Sequence, residues 1–445
     1  MRTHVLNSAF GALDYIAYPA GMLLLAPAIL NVLGTDRFGI WALANAVLMT
    51  GAILASGFGD ANIRSVAQAR TQRDGEETIV IARSAFGLHL VLGIVIAGCL
   101  CLAAPAITHM TLKTNTLLAE DCLWSMRITA GLILLRALEA VCVSTQRAYG
   151  RYGTAIEVSV AARIASLLLA WLMPMIGPSV ALVLAATFAV NCMALTIQFW
   201  QLKRLLGIRH FVPALHPPTV RVLLGFGVFT WIQAAAGLLI GQVDRLASGF
   251  ALGASAIAVY TICVQLTQPI YGIAAAGLHF LFPAIASDSA HGPTLKVRHS
   301  IGVAFTVNFI FVAMSLASLL LFGRFILRHW VGMDMANSAA EILPAAAWSS
   351  ALSALSVTGC YALLAMGRPK PGAILNVTGG LAMAGALPLL IQRFGLAGVA
   401  YSRLLPGCAA LLVYIPMIVH LTKQPQIVRD ESSLDVQGDL ESYHA

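Results

Sequence analysis

The sequence predicts an all-α polytopic membrane protein with about twelve transmembrane helices, arranged as two parallel six-helix bundles related by pseudo-two-fold symmetry. The first observation is composition: of 445 residues, 59% are hydrophobic and 10% are charged, and the mean hydropathy is +0.84. Soluble domains are about 25% charged, so a soluble enzyme, a disulfide-rich scaffold and a disordered chain are excluded. The other observations are a series of long apolar runs and a resemblance between the two halves of the chain.

Apolar runs long enough to cross a bilayer recur from near the start of the chain to residue 420. One crossing needs about 20 apolar residues, and clusters of Gly, Pro or charged residues separate the runs. The first run is long enough to span, so we expect an uncleaved helix there rather than a signal peptide. The predicted spans are 12–33, 40–58, 82–107, 123–146, 154–174, 179–200, 223–246, 255–282, 300–323, 343–366, 372–392 and 396–420.

The Lys and Arg residues fall mainly on one side of the predicted membrane. With the N-terminus in the cytoplasm, about 17 of the 27 Lys and Arg lie in cytoplasmic segments and about six lie outside. The positive-inside rule therefore predicts that both termini are cytoplasmic. The same bias accounts for the formal net charge of +8, so no nucleic acid is expected as a partner.

The two halves of the chain resemble each other at an offset of about 218 residues. The aligned segments are Leu33–Trp41 with Leu252–Tyr260, Gly150-Arg151 with Gly367-Arg368, and Gly177 with Gly395. Six helices in each half make the repeats parallel, which predicts a substrate path between the halves near the midplane and rocking that alternates access. The expected division is an N-terminal six-helix bundle at 1–205, a cytoplasmic linker at 206–222, a C-terminal six-helix bundle at 223–422 and an acidic, disordered cytoplasmic tail at 423–445.

The repeated segments also carry a family resemblance. The motif LGxxxFGIWALA at 33–44, followed by GFGDANIR at 57–64, resembles the turn and second helix that begin polysaccharide flippases. The segment QVDRL at 242–246, with the LG and AVY that follow it, and the turn QRAYGRYG at 146–153 resemble two further segments of those proteins. The sequence is thus similar to the Wzx-type oligosaccharide-lipid flippases of the multidrug/oligosaccharidyl-lipid/polysaccharide exporter superfamily.

This resemblance implies a function and a location. Proteins of this family move undecaprenyl-diphosphate-linked oligosaccharide repeat units from the inner to the outer leaflet of the bacterial cytoplasmic membrane. The resemblance implies coupling to a proton or sodium gradient, and it adds a polysaccharide polymerase and export machinery as partners. It implies no cofactor.

Charged and polar residues inside the predicted spans are the candidate site residues, because a charge at a helix centre costs about 2.5–3.5 kcal/mol on insertion scales and needs a cavity or a partner. Guanidinium groups match phosphate oxygens. The expected substrate path for the diphosphate and sugars carries Arg127, Arg136, Arg163, Arg403, Gln233 and Gln265. The expected ion-coupling acids are Asp14, Glu139 and Asp244.

Structural alternatives stay open for several of these residues. Arg136 and Glu139 are three positions apart on one helix face and form a self-neutralising pair in the simpler interpretation. Arg127 lies near a helix end and is able to reach the membrane interface. Asp14 is also explained as an interfacial acid, and Asp244 as a partner of Arg245. Arg403 has no acid near it in sequence, which favours a role in binding a ligand.

Two other functions compete with the flippase. A multidrug or toxic-compound cation antiporter of the same superfamily needs a compact cavity with an accessible carboxylate, and Asp14 satisfies that requirement. A membrane enzyme is disfavoured, because the sequence shows no Ser-His-Asp order, no Cys or His pattern typical of a metal site and no Gly-rich phosphate loop. Neither catalytic residues nor a metal are therefore expected.

Overall fold

The computed structural model describes residues 21–72, 75–112, 116–278, 295–366, 368 and 370–422. Asp14 and the predicted acidic tail lie outside the described residues. Long apolar helices dominate this part of the chain. The α-helices are α1 Gly21–Leu33, α2 Thr35–Ser56, α3 Gly59–Thr71, α4 Gly75–Leu112, α5 Ala119–Ala148, α6 Tyr152–Ile176, α7 Val180–Leu206, α8 Pro217–Leu252, α9 Ala254–Leu278, α10 Leu295–Val331, α11 Met333–Ala340, α12 Leu343–Ala365, α13 Lys370–Ser402, α14 Leu404–Leu411 and α15 Tyr414–Thr422.

Within these described ranges, nine helical segments are long and apolar enough to cross a membrane. Several exceed the predicted spans, because helices continue past the hydrocarbon layer. The 38 residues of α4 correspond to about 57 Å at 1.5 Å per residue. Helix α13 bends where the sequence predicts a loop. Gly395 has φ 56° and ψ −128°, and this non-helical residue breaks α13 between the eleventh and twelfth predicted spans.

The internal repeat is visible in the backbone. Gly34 (φ 77°, ψ 167°) and Gly253 (φ 100°, ψ −178°) occupy the same unusual conformation at the same place, between two consecutive helices. Positive φ in this region is practically restricted to glycine. In both turns the glycine carbonyl accepts the first hydrogen bond of the next helix, from Phe38 N at 2.9 Å and from Ile257 N at 3.3 Å. Matching turns at matching positions fit the predicted pseudo-two-fold symmetry.

The helix at the centre of each half corresponds to the fourth predicted span of that half. In the first half α5 packs against α2, α4 and α7, and in the second half α12 packs against α9, α10 and α14. Because α5 and α12 are the fourth and tenth predicted spans, repeat-related helices occupy the two centres.

Helix α8 contacts both halves. Its first part packs on the first half: Leu223 lies in a cluster with Phe58, and Trp231 Nε1 donates to Leu54 O at 2.9 Å. Its last part packs on α9 and α13 of the second half. Helix α8 begins at Pro217, inside the predicted linker, and the preceding segment is tied to α4 by Ala214 N, which donates to Arg83 O at 3.2 Å.

Candidate functional site

The two ends of the helical bundle differ in composition. One end, called here the glycine end, carries the turns at Gly34, Gly177, Gly253, Gly332 and Gly395. The opposite end, called here the basic end, is where α4 begins and α7 ends. Its cationic residues include Arg64, Arg70, Arg83, Arg147, Arg151, Lys203, Arg204, Arg209, Arg221, Arg298, Arg368 and Lys370.

At the glycine end the two halves are in close contact. Helix α2 approaches α9 so closely that a Cβ added to Gly39 would lie 1.8 Å from Ala254 O. Beside this crossing, the Ser255 hydroxyl donates to the Asp36 carboxylate. Only glycine allows this approach, so the sequence of α2 itself permits the halves to close at this end.

Burial along α2 and α9 changes from one end to the other. In α2, residues 38–44 are all buried, whereas residues 52–54 are only half-buried. In α9, residues 257–265 are all buried, whereas Gln268, Tyr271 and Ile273 are exposed. Helices α2 and α9 are therefore enclosed near the glycine end and become accessible toward the basic end.

A charged cluster lies in the second half, near the glycine end. Asp244 of α8 is completely buried, and its Oδ2 is 2.6 Å from Arg403 Nη1. The Tyr260 hydroxyl of α9 donates to the same oxygen at 2.5 Å. Asp244 stands eight residues before the end of α8, about 12 Å from the glycine end at 1.5 Å per residue. The cluster joins three predicted spans, the seventh, eighth and twelfth.

Backbone contacts hold the members of this cluster in place. Asp244 Oδ1 accepts a hydrogen bond from Arg245 N at 2.7 Å, so both carboxylate oxygens are engaged. Arg403 sits between α13 and α14, where its own carbonyl accepts from the Ser349 hydroxyl of α12 at 2.8 Å. A buried charge is tolerated when paired and hydrogen-bonded. Arg403 has no acid near it in the sequence, and the structure pairs it with an acid on a helix 159 positions away.

A second polar cluster lies in the first half. Arg136 Nη1 is 2.8 Å from Glu139 Oε2, so the pair that the spacing suggested is formed. Glu139 is buried, and its Oε1 accepts from the Ser159 hydroxyl of α6 at 2.5 Å. Gln198 of α7 extends the cluster by donating to Ala155 O at 2.9 Å and accepting from Gln146 at 2.6 Å. Glu139 is nine residues before the end of α5, about 13 Å from the basic end.

Gln265 lies on α9 in the enclosed region between the halves. It is buried, and its Oε1 meets no hydrogen-bond donor among the described residues. The Thr261 hydroxyl, one turn earlier on the same face, is also buried and has no hydrogen-bond partner within this part of the structure. Buried polar atoms without protein partners are candidates for contacts with water or a ligand.

The remaining predicted residues are dispersed. Arg127 is exposed on α5, and its guanidinium lies 5.2 Å from the centre of the Trp124 ring, the arrangement expected at a membrane interface. Arg163 is half-buried on α6. Gln233 is part of α8, but its side chain is outside the description.

Sequence reasoning missed several members of both clusters. Tyr260 and Ser159 lie on the helices that follow those of their acids, 16 and 20 positions away, and Gln198 lies on α7. Spacing within one helix connects none of them to these acids. Asp121 was also missed: its carboxylate accepts from Val180 N and Ala181 N, each at 2.9 Å, and so caps α7 from the start of α5. Over the described ranges, no group of three or more His, Cys, Asp or Glu is arranged to hold a metal ion.

Known proteins resemble this chain both in sequence and in fold. Residues 11–288 match the family described as polysaccharide biosynthesis protein. A search of curated proteins gives no match. Among solved structures, the fold is similar to lipid II flippase MurJ in an inward closed conformation, with a TM-score of 0.74 and 14% identity over 93% of this chain and 87% of that chain.

The fold is also similar to a multidrug resistance MATE family transporter of the MOP superfamily. The TM-score is 0.70 for an inward-facing conformation, with 16% identity over 92% of this chain and 98% of that chain. It is 0.57 for an outward-facing conformation, with 16% identity over 93% and 96% of the two chains. Because the family match covers more than half of the chain, the chain belongs to the polysaccharide biosynthesis protein family.

Proposed function

We propose that the protein flips undecaprenyl-diphosphate-linked oligosaccharide repeat units across the bacterial cytoplasmic membrane for surface polysaccharide export. The observation that carries this proposal is the family match over residues 11–288, which the flippase-like motifs at 33–44 and 57–64 support. The basic end faces the cytoplasm in this proposal, because Lys and Arg are retained on that side. Both termini are then cytoplasmic, and the protein is a transporter rather than an enzyme.

The proposed path runs between the halves and is closed at the glycine end by the crossing of α2 and α9. Thr261 and Gln265 follow this closure along α9, and each has a buried polar atom without a partner among the described residues; sugar hydroxyls would supply these hydrogen bonds. The half-buried Arg163 is a candidate for the diphosphate. Rocking of the halves would separate α2 from α9 and release the sugar on the outer side.

Ion coupling is proposed to act on Asp244. A proton or a sodium ion on its carboxylate would weaken the attraction to Arg403, and this contact joins α8 to the end of α13. Helix α8 touches both halves, so a change at Asp244 is transmitted to the packing between them. Arg403, once released, is free to bind the phosphate oxygens of the substrate. Glu139, already paired with Arg136, is the second candidate acid.

A deletion strain tests the substrate. Its lipids are extracted, and undecaprenyl-diphosphate-linked saccharide is quantified by mass spectrometry alongside surface polysaccharide. We expect the lipid-linked repeat unit to accumulate and the surface polysaccharide to be lost. Wild type restores both, whereas Arg163→Ala and Arg403→Ala do not. The exposed Arg393→Ala, on the same face of the membrane as Arg403, is the matched control and restores both.

The alternative function is a multidrug cation antiporter, which the likeness to the MATE transporter favours. Growth of the same deletion strain on cationic dyes separates the two. Normal pools of lipid-linked saccharide together with dye hypersensitivity would overturn the flippase proposal and support the antiporter. A polymerase and export machinery are further proposed partners, which copurification with the tagged full-length chain would reveal.

A further inference from the structure

A shallow, open cleft of about 410 Å³ lies on the surface at the basic end, where α7 ends. It is lined by Trp200, Lys203, Arg204, Gly207, Ile208 and Arg209. Arg204 and Arg209 are exposed and Lys203 is half-buried. The cleft lies outside the two charged clusters of the candidate site, and the proposed transport path does not use it.

No acidic residue lies near the cations of this cleft in the sequence. The sequence contains no Asp or Glu from residue 158 to residue 243. The backbone itself caps the end of α7: Gly207 is in the left-handed region, and Ile208 N donates to Lys203 O at 3.2 Å. Because the last carbonyls of the helix are satisfied in this way, the cationic side chains are not needed as caps and remain directed to the surroundings.

The surface that leads into the cleft is apolar. Met193, Ile197 and Trp200 follow one face of α7 with spacings of four and three residues, and they are 62%, 39% and 52% exposed. Arg204 continues the same face one turn later, and its guanidinium lies 3.8 Å from the centre of the Trp200 ring. Tryptophan is typical of the level of lipid headgroups. The stripe thus passes from a hydrocarbon-compatible surface to an aromatic ring and then to cations.

We propose that this cleft binds the phosphate headgroup of an anionic glycerophospholipid of the bilayer, with the acyl chains lying along Met193 and Ile197. The order of groups on α7 is the order of groups in such a lipid, from chain to phosphate. Clustered Lys and Arg beside a membrane recognise anionic headgroups, and a guanidinium binds phosphate oxygens through two parallel hydrogen bonds. This site is independent of the transported substrate, so it stands whether the protein is a flippase or an antiporter.

Native mass spectrometry of the full chain in detergent tests the site with dioleoyl phosphatidylglycerol, dioleoyl phosphatidylcholine and undecaprenyl diphosphate as separate probes. We expect wild type to retain phosphatidylglycerol in preference to phosphatidylcholine. The variant Lys203→Gln/Arg204→Gln/Arg209→Gln should bind phosphatidylglycerol about a hundredfold more weakly. The matched control removes three exposed Arg at the glycine end, Arg324→Gln/Arg328→Gln/Arg393→Gln, and should bind like wild type.

Three results would overturn the proposal: equal retention of the two glycerophospholipids by wild type, an unchanged preference in the cleft variant, or loss of undecaprenyl diphosphate binding alone. The last would assign the cleft to the substrate instead. If the triple variant does not fold, the site is tested instead by the quenching of tryptophan fluorescence with phosphatidylglycerol that carries brominated acyl chains. Wild type should then be quenched more than Trp200→Phe, and an equal quench would refute the site.

Discussion

Replacing Arg403 by Gln would leave the carboxylate of Asp244 buried without its cation. Asp244 is completely buried, and the two groups are 2.6 Å apart. Removing one partner of a buried ion pair costs about 3–5 kcal/mol, because the remaining charge is uncompensated. At the lower value, the folding equilibrium changes by roughly a hundredfold. The Tyr260 hydroxyl still donates to Asp244, so we expect a cost at the lower value.

A double-mutant cycle measures the pair. Arg403→Gln, Asp244→Asn and the double variant are unfolded reversibly in mixed detergent, and the free energy of unfolding is followed by tryptophan fluorescence. Each single change should destabilise by about 3 kcal/mol, and the double variant should cost at least about 2 kcal/mol less than the sum of the singles. The exposed Arg393→Gln should stay within about 0.5 kcal/mol of wild type.

The same variants separate a structural pair from a coupling site. The double variant removes both charges, so it should recover stability but not gradient-driven transport in reconstituted vesicles. If the double variant transports as well as wild type, Asp244 and Arg403 are structural only and the proposed coupling is refuted. If the single variants unfold like wild type, the burial argument itself fails.

Three further changes test the rest of the structure. Gly39→Val places a side chain within 1.8 Å of Ala254 O, so it should prevent closure of the glycine end and abolish transport in the vesicle assay. A side chain at Gly98 meets open space, so Gly98→Ala should leave transport unchanged in the same assay. Glu139→Gln removes the acid that Arg136 pairs with, and it should lower stability by about 1–3 kcal/mol in the detergent unfolding assay. Asp121→Ala loses the cap of α7 and should cost about 1–2 kcal/mol while transport at low temperature stays unchanged.

The fold was predictable because hydrophobic length and glycine turns are local properties of the sequence. The Gly34 and Gly253 turns were visible as aligned motifs, and both glycines have a positive φ in the structure. The pair of Arg136 and Glu139 was also predictable, since helical spacing determines it. The partner of Arg403 was not predictable, because Asp244 reaches it only through the packing of the first helix of the second half against the last.

The positions of the two charged clusters indicate that the two halves respond differently to an ion. At the repeat offset of about 219 residues, the first-half counterparts of Asp244, Tyr260 and Arg403 are Leu25, Trp41 and Leu184, all apolar.

Conversely, at the offset of 217 that relates Gly150 to Gly367, Arg136 and Glu139 align with the uncharged Ser353 and Ser356. One cluster stands about 12 Å below the glycine end and the other about 13 Å below the basic end. Two symmetric halves with charges at opposite depths cannot respond alike to an ion arriving from one side. Under the proposed coupling, with the glycine end outside, a cation from outside would reach the depth of Asp244 before that of Glu139, and the second half would be the first to respond to the gradient.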